Sequence, residues 1–155
     1  SDTDKPENYY YPSAYRLTNI ISVAATDINN HLIRSSNWGK TKVDVTAPGE
    51  NIFSTLPGGR YGFMIGTSQA TAFVTGIAAL LLAKDPTLTP ARIKEIIRDS
   101  VDRFPELKDK IASGGRVNAK KALLALGVKL NEPKDPDVIR SIARGPSALV
   151  EALSR

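Results

Sequence analysis

The stretch that decides the fold is Gly66-Thr67-Ser68-Gln69-Ala70-Thr71-Ala72-Phe73-Val74-Thr75-Gly76. Its serine follows a Gly-Thr turn and opens a long, mostly apolar run that predicts a helix. Ser68 would then lie at the amino end of that helix, where free backbone N–H groups and the positive end of the dipole favour an anion. An acyl-transfer nucleophile needs this setting. Taken alone, however, the pattern is more often a simple N-cap, in which Ser or Thr accepts from the first N–H groups.

The same eleven residues resemble the Gly-Thr-Ser-Met-Ala-x-Pro-His-Val-x-Gly signature of subtilisin-like serine proteases. Gln69 stands in place of the Met, Ala72 in place of the Pro and Phe73 in place of the His. These departures surround the nucleophile and leave the serine itself in place. The positions identical to the signature are Gly66, Thr67, Ser68, Ala70, Val74 and Gly76.

Segments on both sides extend the resemblance, in order, from about residue 11 to residue 126. They comprise residues 11–15, 19–27, 43–49 and 52–55 before the serine, and residues 88–90 and 115–119 after it. The chain is thus identified as a member of this family. Residues 1–127 are interpreted as the C-terminal part of the catalytic domain, and residues 128–155 as a linker with a short helical tail.

The resemblance implies a serine endopeptidase that hydrolyses peptides or proteins through an acyl-enzyme on Ser68. The family uses Asp, His and Ser in that chain order, with an oxyanion Asn between the His and the Ser. Those three helpers should lie upstream of the Tyr-Pro segment at residues 11 and 12. The one histidine, His31, falls in a polar turn and is interpreted as a surface residue. We therefore expect this chain alone to lack the Asp, His and Asn and to be inactive without the missing N-terminal part.

Further site residues follow from the resemblance. Tyr10 would form the floor of the pocket for the residue before the scissile bond, or alternatively be a packed loop aromatic. Gly66 would contact substrate, and Thr67 would support the oxyanion region or bond a neighbouring carbonyl. The Tyr11–Pro12 peptide bond is expected to be cis. Asp44 falls where some members have an acid near a weak cation site, but Lys42 disfavours a cation, and we expect no metal or cofactor.

Composition and motif positions argue against a nucleic-acid partner, a membrane span and one other class of hydrolase. The net charge is +5, but the 21 basic residues are scattered among 16 acids, which favours ordinary solvated surface over a nucleic-acid site. The apolar run at residues 70–83 is shorter than the roughly 20 residues that span a membrane. Ala70 also occupies the position where a nucleophile-elbow hydrolase needs glycine. By resemblance, the parent protein is expected to be secreted or extracellular.

Together with the order of the elements, the resemblance implies an α/β class, as a partial subtilisin-like fold with a mainly parallel sheet, a buried central helix and flanking helices. Strands are expected at residues 20–25, 43–47 and 51–54, and helices at residues 68–84, from Thr89 to about 101, and at 119–126. The first helix is apolar almost all round and should cross the interior. Because few strands remain to cover it, we expect the isolated chain to self-associate. The alternative function is a non-catalytic assembly or binding module derived from a protease.

Overall fold

The computed structural model describes residues 1–129, in which two sheets and three α-helices form. The strands are β1 (Val23–Thr26), β2 (Val45–Pro48), β3 (Ile52–Leu56), β4 (Arg60–Met64), β5 (Asp102–Arg103) and β6 (Gly115–Arg116). The α-helices are α1 (Thr67–Lys84), α2 (Pro90–Asp99) and α3 (Ala119–Leu124). Short 3-10 turns occupy Pro6–Asn8 and Pro105–Leu107. From residue 130 onward, the predicted linker and helical tail lie outside the described residues.

The main sheet has the strand order β1-β2-β6-β5. Strand β1 runs parallel to β2 with Val23 opposite Val45 and Thr26 opposite Pro48. Strand β2 is also parallel to β6, whereas β5 is antiparallel to β6. Strands β3 and β4 form a separate antiparallel hairpin, which reverses through Gly58 and Gly59. The predicted α/β class with a mainly parallel sheet is confirmed.

Small apolar side chains allow α1 to lie directly on the sheet. Ala25, Val45 and Ala47 of β1 and β2 are fully buried. They belong to one core cluster with the side chains that α1 turns toward the sheet, which are Ala70, Val74, Ile77 and Leu81. These four follow the three-to-four-residue spacing of one helix face. Packing of this face fixes α1 across β1 and β2.

The structure buries α1 on one face rather than all round. Phe73, Leu80 and Leu82 are 44%, 49% and 39% exposed. The physical reason is that the sheet and the other two helices in residues 1–129 lie against the opposite side of α1. The helix therefore crosses the edge of the described core and leaves an apolar surface open.

The starts of the other two helices are confirmed as predicted. Thr89 precedes Pro90 and accepts a hydrogen bond from the Arg92 N–H at 3.3 Å. Asn118 caps α3 by accepting from the Lys121 N–H at 2.9 Å. Both helices end about two residues earlier than expected. Caps determine helix starts strongly because a side chain satisfies N–H groups that have no helical partner.

The N-terminal segment is fastened to the loop before β2 through Asp4. Its carboxylate accepts from the Thr41 hydroxyl at 2.8 Å and from the backbone N–H of Lys42 at 3.1 Å. Burial alone would raise the pKa of Asp4, but these hydrogen bonds outweigh burial and hold the pKa below its usual value. The loop that follows contains the Tyr11–Pro12 bond, which is cis as predicted.

Candidate active site

The Ser68 turn lies at the carboxyl ends of the parallel strands. Strand β2 ends at Pro48, and the next residue, Gly49, donates its N–H to the carbonyl of Thr26 at 2.9 Å. The N–H of Gly66 in turn donates to the carbonyl of Gly49 at 2.8 Å. These two bonds tie the start of α1 to the sheet edge where α/β proteins usually place their functional sites.

Gly66 turns the chain sharply into α1. It is the N-cap residue with φ 150° and ψ 168°, a conformation that side chains with a Cβ rarely adopt. No side chain within residues 1–129 caps α1, and Ser68 is the second residue of the helix. Since an N-cap residue precedes the helix, the simple capping interpretation of Ser68 does not hold.

The Ser68 side chain is exposed, and within residues 1–129 its hydroxyl has no hydrogen-bond partner. Backbone N–H groups of the first helical turn have no partner inside the helix and point outward beside it. An anion near Ser68 would therefore meet donors and the positive end of the helix dipole. This is the local arrangement that an acyl-transfer nucleophile requires.

Gln69 and Met64 also contribute to this turn, although neither residue was predicted to belong to the site. The Gln69 Nε2 lies 3.7 Å from the Met64 Sδ. The Gln69 Oε1 lies 3.0 Å from the point where a Cβ on Gly66 would be. The Gln69 side chain thus lies against the Gly66 turn beside Ser68. The sequence shows that Gln69 replaces the Met of the motif. That replacement alone does not show which groups the Gln69 side chain contacts.

The structural role of Gly49 was also not evident from the sequence. A Cβ at this position would lie 2.5 Å from the Ala25 Cβ and 2.7 Å from the Gly66 carbonyl oxygen. Both contacts are far inside van der Waals distance. Only glycine therefore allows β1, the end of β2 and the Ser68 turn to approach this closely. In the sequence, Pro48-Gly49 indicated only that a strand ends.

Comparison with known proteins agrees with this geometry. The peptidase S8 family model, described as the subtilase family, matches residues 1–127. The chain belongs to the subtilase family. The serine protease class that the signature implied is thereby confirmed at the level of the family.

Individual relatives support the same family. The subtilase chain is 38% identical over 91 residues to the A-subunit of the subtilase cytotoxin of Escherichia coli, covering 59% of this chain and 26% of that protein. It is 47% identical over 85 residues to subtilisin E of Bacillus subtilis, covering 55% of this chain and 22% of the relative. The chain thus spans about a quarter of the length of these curated relatives.

Solved structures show the same fold. The A-subunit of the AB5 toxin from E. coli superposes with a TM-score of 0.71 and 30% identity, over 81% of this chain and 47% of that one. The self-cleaved protease domain of PatA gives a TM-score of 0.63 and 34% identity, over 77% of this chain and 46% of that one. The subtilase chain therefore corresponds to less than half of either structure.

The histidine of this subtilase chain lies in a surface turn, as its sequence context suggested. The His31 Nδ1 is 3.6 Å from the Asp27 Oδ2, and its side chain is 59% exposed. The backbone N–H of His31 also donates to the Asp27 carboxylate. His31 makes no hydrogen bond with Ser68, whose hydroxyl has no partner in the described part of the chain.

The other predicted site residues are distributed as follows. Tyr10 is 67% exposed in the loop before the cis bond. The carbonyl of Thr67 accepts from the Thr71 hydroxyl at 2.8 Å. Asp44 lies at the opposite, amino end of β2, paired with Lys94 at 2.9 Å. Residues 1–129 contain no cluster of three or more metal-ligating side chains and no helix long and apolar enough to cross a membrane.

The crowding at Gly49 gives a test of the site's scaffold. We expect Gly49→Ala to lower the free energy of unfolding by about 1–3 kcal/mol, since overpacking of this size forces the backbone apart. Gly76→Ala is the matched control, because a Cβ there would have no atom of the described residues within 4 Å, apart from its chain neighbours and its own helix backbone. That control should stabilise helix α1 by about 0.5–1 kcal/mol. Urea unfolding at equal protein concentration measures both, and a Gly49→Ala chain as stable as the wild type would contradict the close approach.

Proposed function

We propose that this chain supplies the nucleophile of a serine endopeptidase whose catalytic domain extends beyond these residues. The observation that carries the proposal is the exposed, unpartnered Ser68 hydroxyl at the amino end of α1, held at the carboxyl edge of the sheet. The subtilase family match over residues 1–127 supports it.

In the proposed reaction, the Ser68 Oγ attacks the carbonyl carbon of a peptide bond and its proton passes to a general base. The carbonyl oxygen becomes an oxyanion, to which the backbone N–H of Ser68 donates. Collapse of the intermediate breaks the C–N bond, and the amine leaves with the proton held by the base. Water then attacks the acyl ester, which releases the acid and restores the serine.

Other residues take supporting roles in this proposal. Thr67 supports the oxyanion turn, while Gly66 and Tyr10 contact the substrate. The base, its orienting Asp and the oxyanion Asn come from the N-terminal part of the catalytic domain. Loss of one oxyanion donor costs about 10²–10³ in kcat, as measured for a subtilisin. The chain alone should therefore be nearly inactive, since an unassisted serine hydroxyl is a weak nucleophile.

A fluorophosphonate probe, which labels activated serines, tests this assignment. We expect labelling of the protein that includes the N-terminal part, and its loss in Ser68→Ala. Ser54→Ala is the matched control, because Ser54 is an exposed serine on β3 away from any helix start. The isolated 155-residue chain should remain unlabelled. Persistent labelling of Ser68→Ala, or strong labelling of the isolated chain, would contradict the proposal.

The alternative is a non-catalytic assembly or binding module, and the open surface of α1 is the observation that favours it. Phe73 and Leu80 are exposed on α1, and β1 is an edge strand of the main sheet. In a complete catalytic domain, the N-terminal part would cover this surface. In the isolated chain, we propose that a second copy covers it, because large exposed apolar patches drive association.

Self-association can be measured by sedimentation of the isolated chain. We expect dimers or larger species at micromolar concentration, and Leu80→Glu should shift them toward monomer. Ile28→Glu is the matched control, because Ile28 is 90% exposed in a turn outside α1. A compact monomer for the unmodified chain, or an equal effect of both substitutions, would contradict association through α1.

We also propose that the parent protein acts outside the cell that makes it. The similarity to a cytotoxin and to subtilisins supports this location.

A further inference from the structure

Basic residues that look scattered in the sequence converge at the sheet edge opposite Ser68. Asp44, immediately before β2, and Gly114, immediately before β6, lie at the amino ends of these parallel strands. Two adjoining cavities of about 610 Å³ and about 550 Å³ open here and share Lys40, Arg98 and Asp99 in their walls. Together they form one groove, hereafter the amino-edge groove, remote from the carboxyl edge where Ser68 lies.

One acid in the groove is already neutralised. The Asp44 carboxylate lies 2.9 Å from the Lys94 Nζ and 3.8 Å from the Arg98 Nε, so two cations share one anion. The Arg98 Nε is buried and has no hydrogen-bond partner in the described part of the chain. Arg98 therefore contributes its positive charge to the groove, while its buried Nε is not accessible to a ligand.

Among residues 1–129, two lysines in the wall have only neutral partners. The Lys40 ammonium donates to the carbonyl oxygens of Lys108 and Ile111. The Lys42 ammonium donates to the Ala14 carbonyl at 3.1 Å. Carbonyl oxygens hold these ammonium groups in place but do not cancel their charge.

Three more cations have no acidic partner at all within residues 1–129. They are the exposed side chains of Arg16, Arg103 and Lys108. Of the remaining acids, Glu95 is paired with Arg92. The groove thus has a strong excess of positive charge, and an anionic ligand would be attracted to it.

The wall also contains features that distinguish one class of anion from another. Glu95 and Asp99 would repel a uniformly charged polyanion, whereas Leu17, Ile20 and Pro105 offer apolar contacts. Single-stranded nucleic acid is commonly bound by stacking its bases on aromatic rings, and the Phe104 ring in the wall has the Arg116 guanidinium 5.8 Å from its centroid. A duplex, which is held through its phosphates, is the uniformly charged polyanion that Glu95 and Asp99 would repel. We propose that the amino-edge groove binds an acidic peptide segment in which Asp or Glu alternates with apolar residues. This is a second binding site, separate from the substrate site at Ser68.

Fluorescence anisotropy with labelled probes tests this site in the protein at its full natural length. A Ser68→Ala background prevents cleavage of the probes. The probes are a short peptide of alternating Glu and Leu, its Lys-Leu counterpart and a heparin-derived oligosaccharide. We expect the Glu-Leu peptide to bind most tightly and its affinity to fall as salt rises.

Two triple variants remove equal charge from different places. The groove variant combines Arg16→Gln, Arg103→Gln and Lys108→Gln. The control variant combines Lys5→Gln, Arg34→Gln and Lys84→Gln, at exposed positions outside the groove. Because exposed ion pairs each contribute modestly, we expect the groove variant to weaken binding by about tenfold and the control to change it little.

Three results would overturn the proposal: no binding of the Glu-Leu peptide, equal losses in both triple variants, or tighter binding of the heparin oligosaccharide. The last result would identify the groove as a polysaccharide site. Circular dichroism of both variants, which retain all the hydrogen bonds described above, checks that they remain folded.

Discussion

The hydrogen bond from the Gly66 N–H to the Gly49 carbonyl places Ser68, and the rest of the candidate site depends on it. One such bond contributes only about 0.5–1.5 kcal/mol net, which is too little to hold a helix against a sheet. The buried face of α1 contributes more, since each fully buried aliphatic side chain stabilises the fold by about 1.5–3 kcal/mol. Packing therefore gives the stability, while the hydrogen bond and the two glycines set where along the sheet edge Ser68 stands.

Much of this arrangement could be predicted from the sequence because its signals are local. Thr89-Pro90 and Asn118 indicate helix starts through capping chemistry, and both helices begin there. The strands expected at residues 20–25 and 43–47 form the parallel pair β1 and β2. The Gly-Thr-Ser turn predicted the amino end of α1. The boundaries of strands and helices differ from the expected ones by up to three residues, since they depend on pairing partners as well as on local residue type.

What the sequence could not predict depends on residues distant along the chain. The need for glycine at position 49 arises only when Ala25 and Gly66 approach it from two other elements. The exposed face of α1 likewise follows from which elements cover the helix, and its apolar composition could not show that. The amino-edge groove brings together side chains from residue 16 to residue 108, so a linear charge count finds only scattered basic residues.

The role of the Gly66–Gly49 bond is open to direct measurement by amide hydrogen exchange. We predict that the Gly66 amide exchanges only through unfolding that separates α1 from the sheet, with protection comparable to the buried amides of β1 and β2. The amide of Gly59, in the exposed hairpin turn, should exchange quickly in the same sample. Fast exchange at Gly66, close to that of Gly59, would show that the turn carrying Ser68 is not held at the sheet edge and would contradict this placement of Ser68.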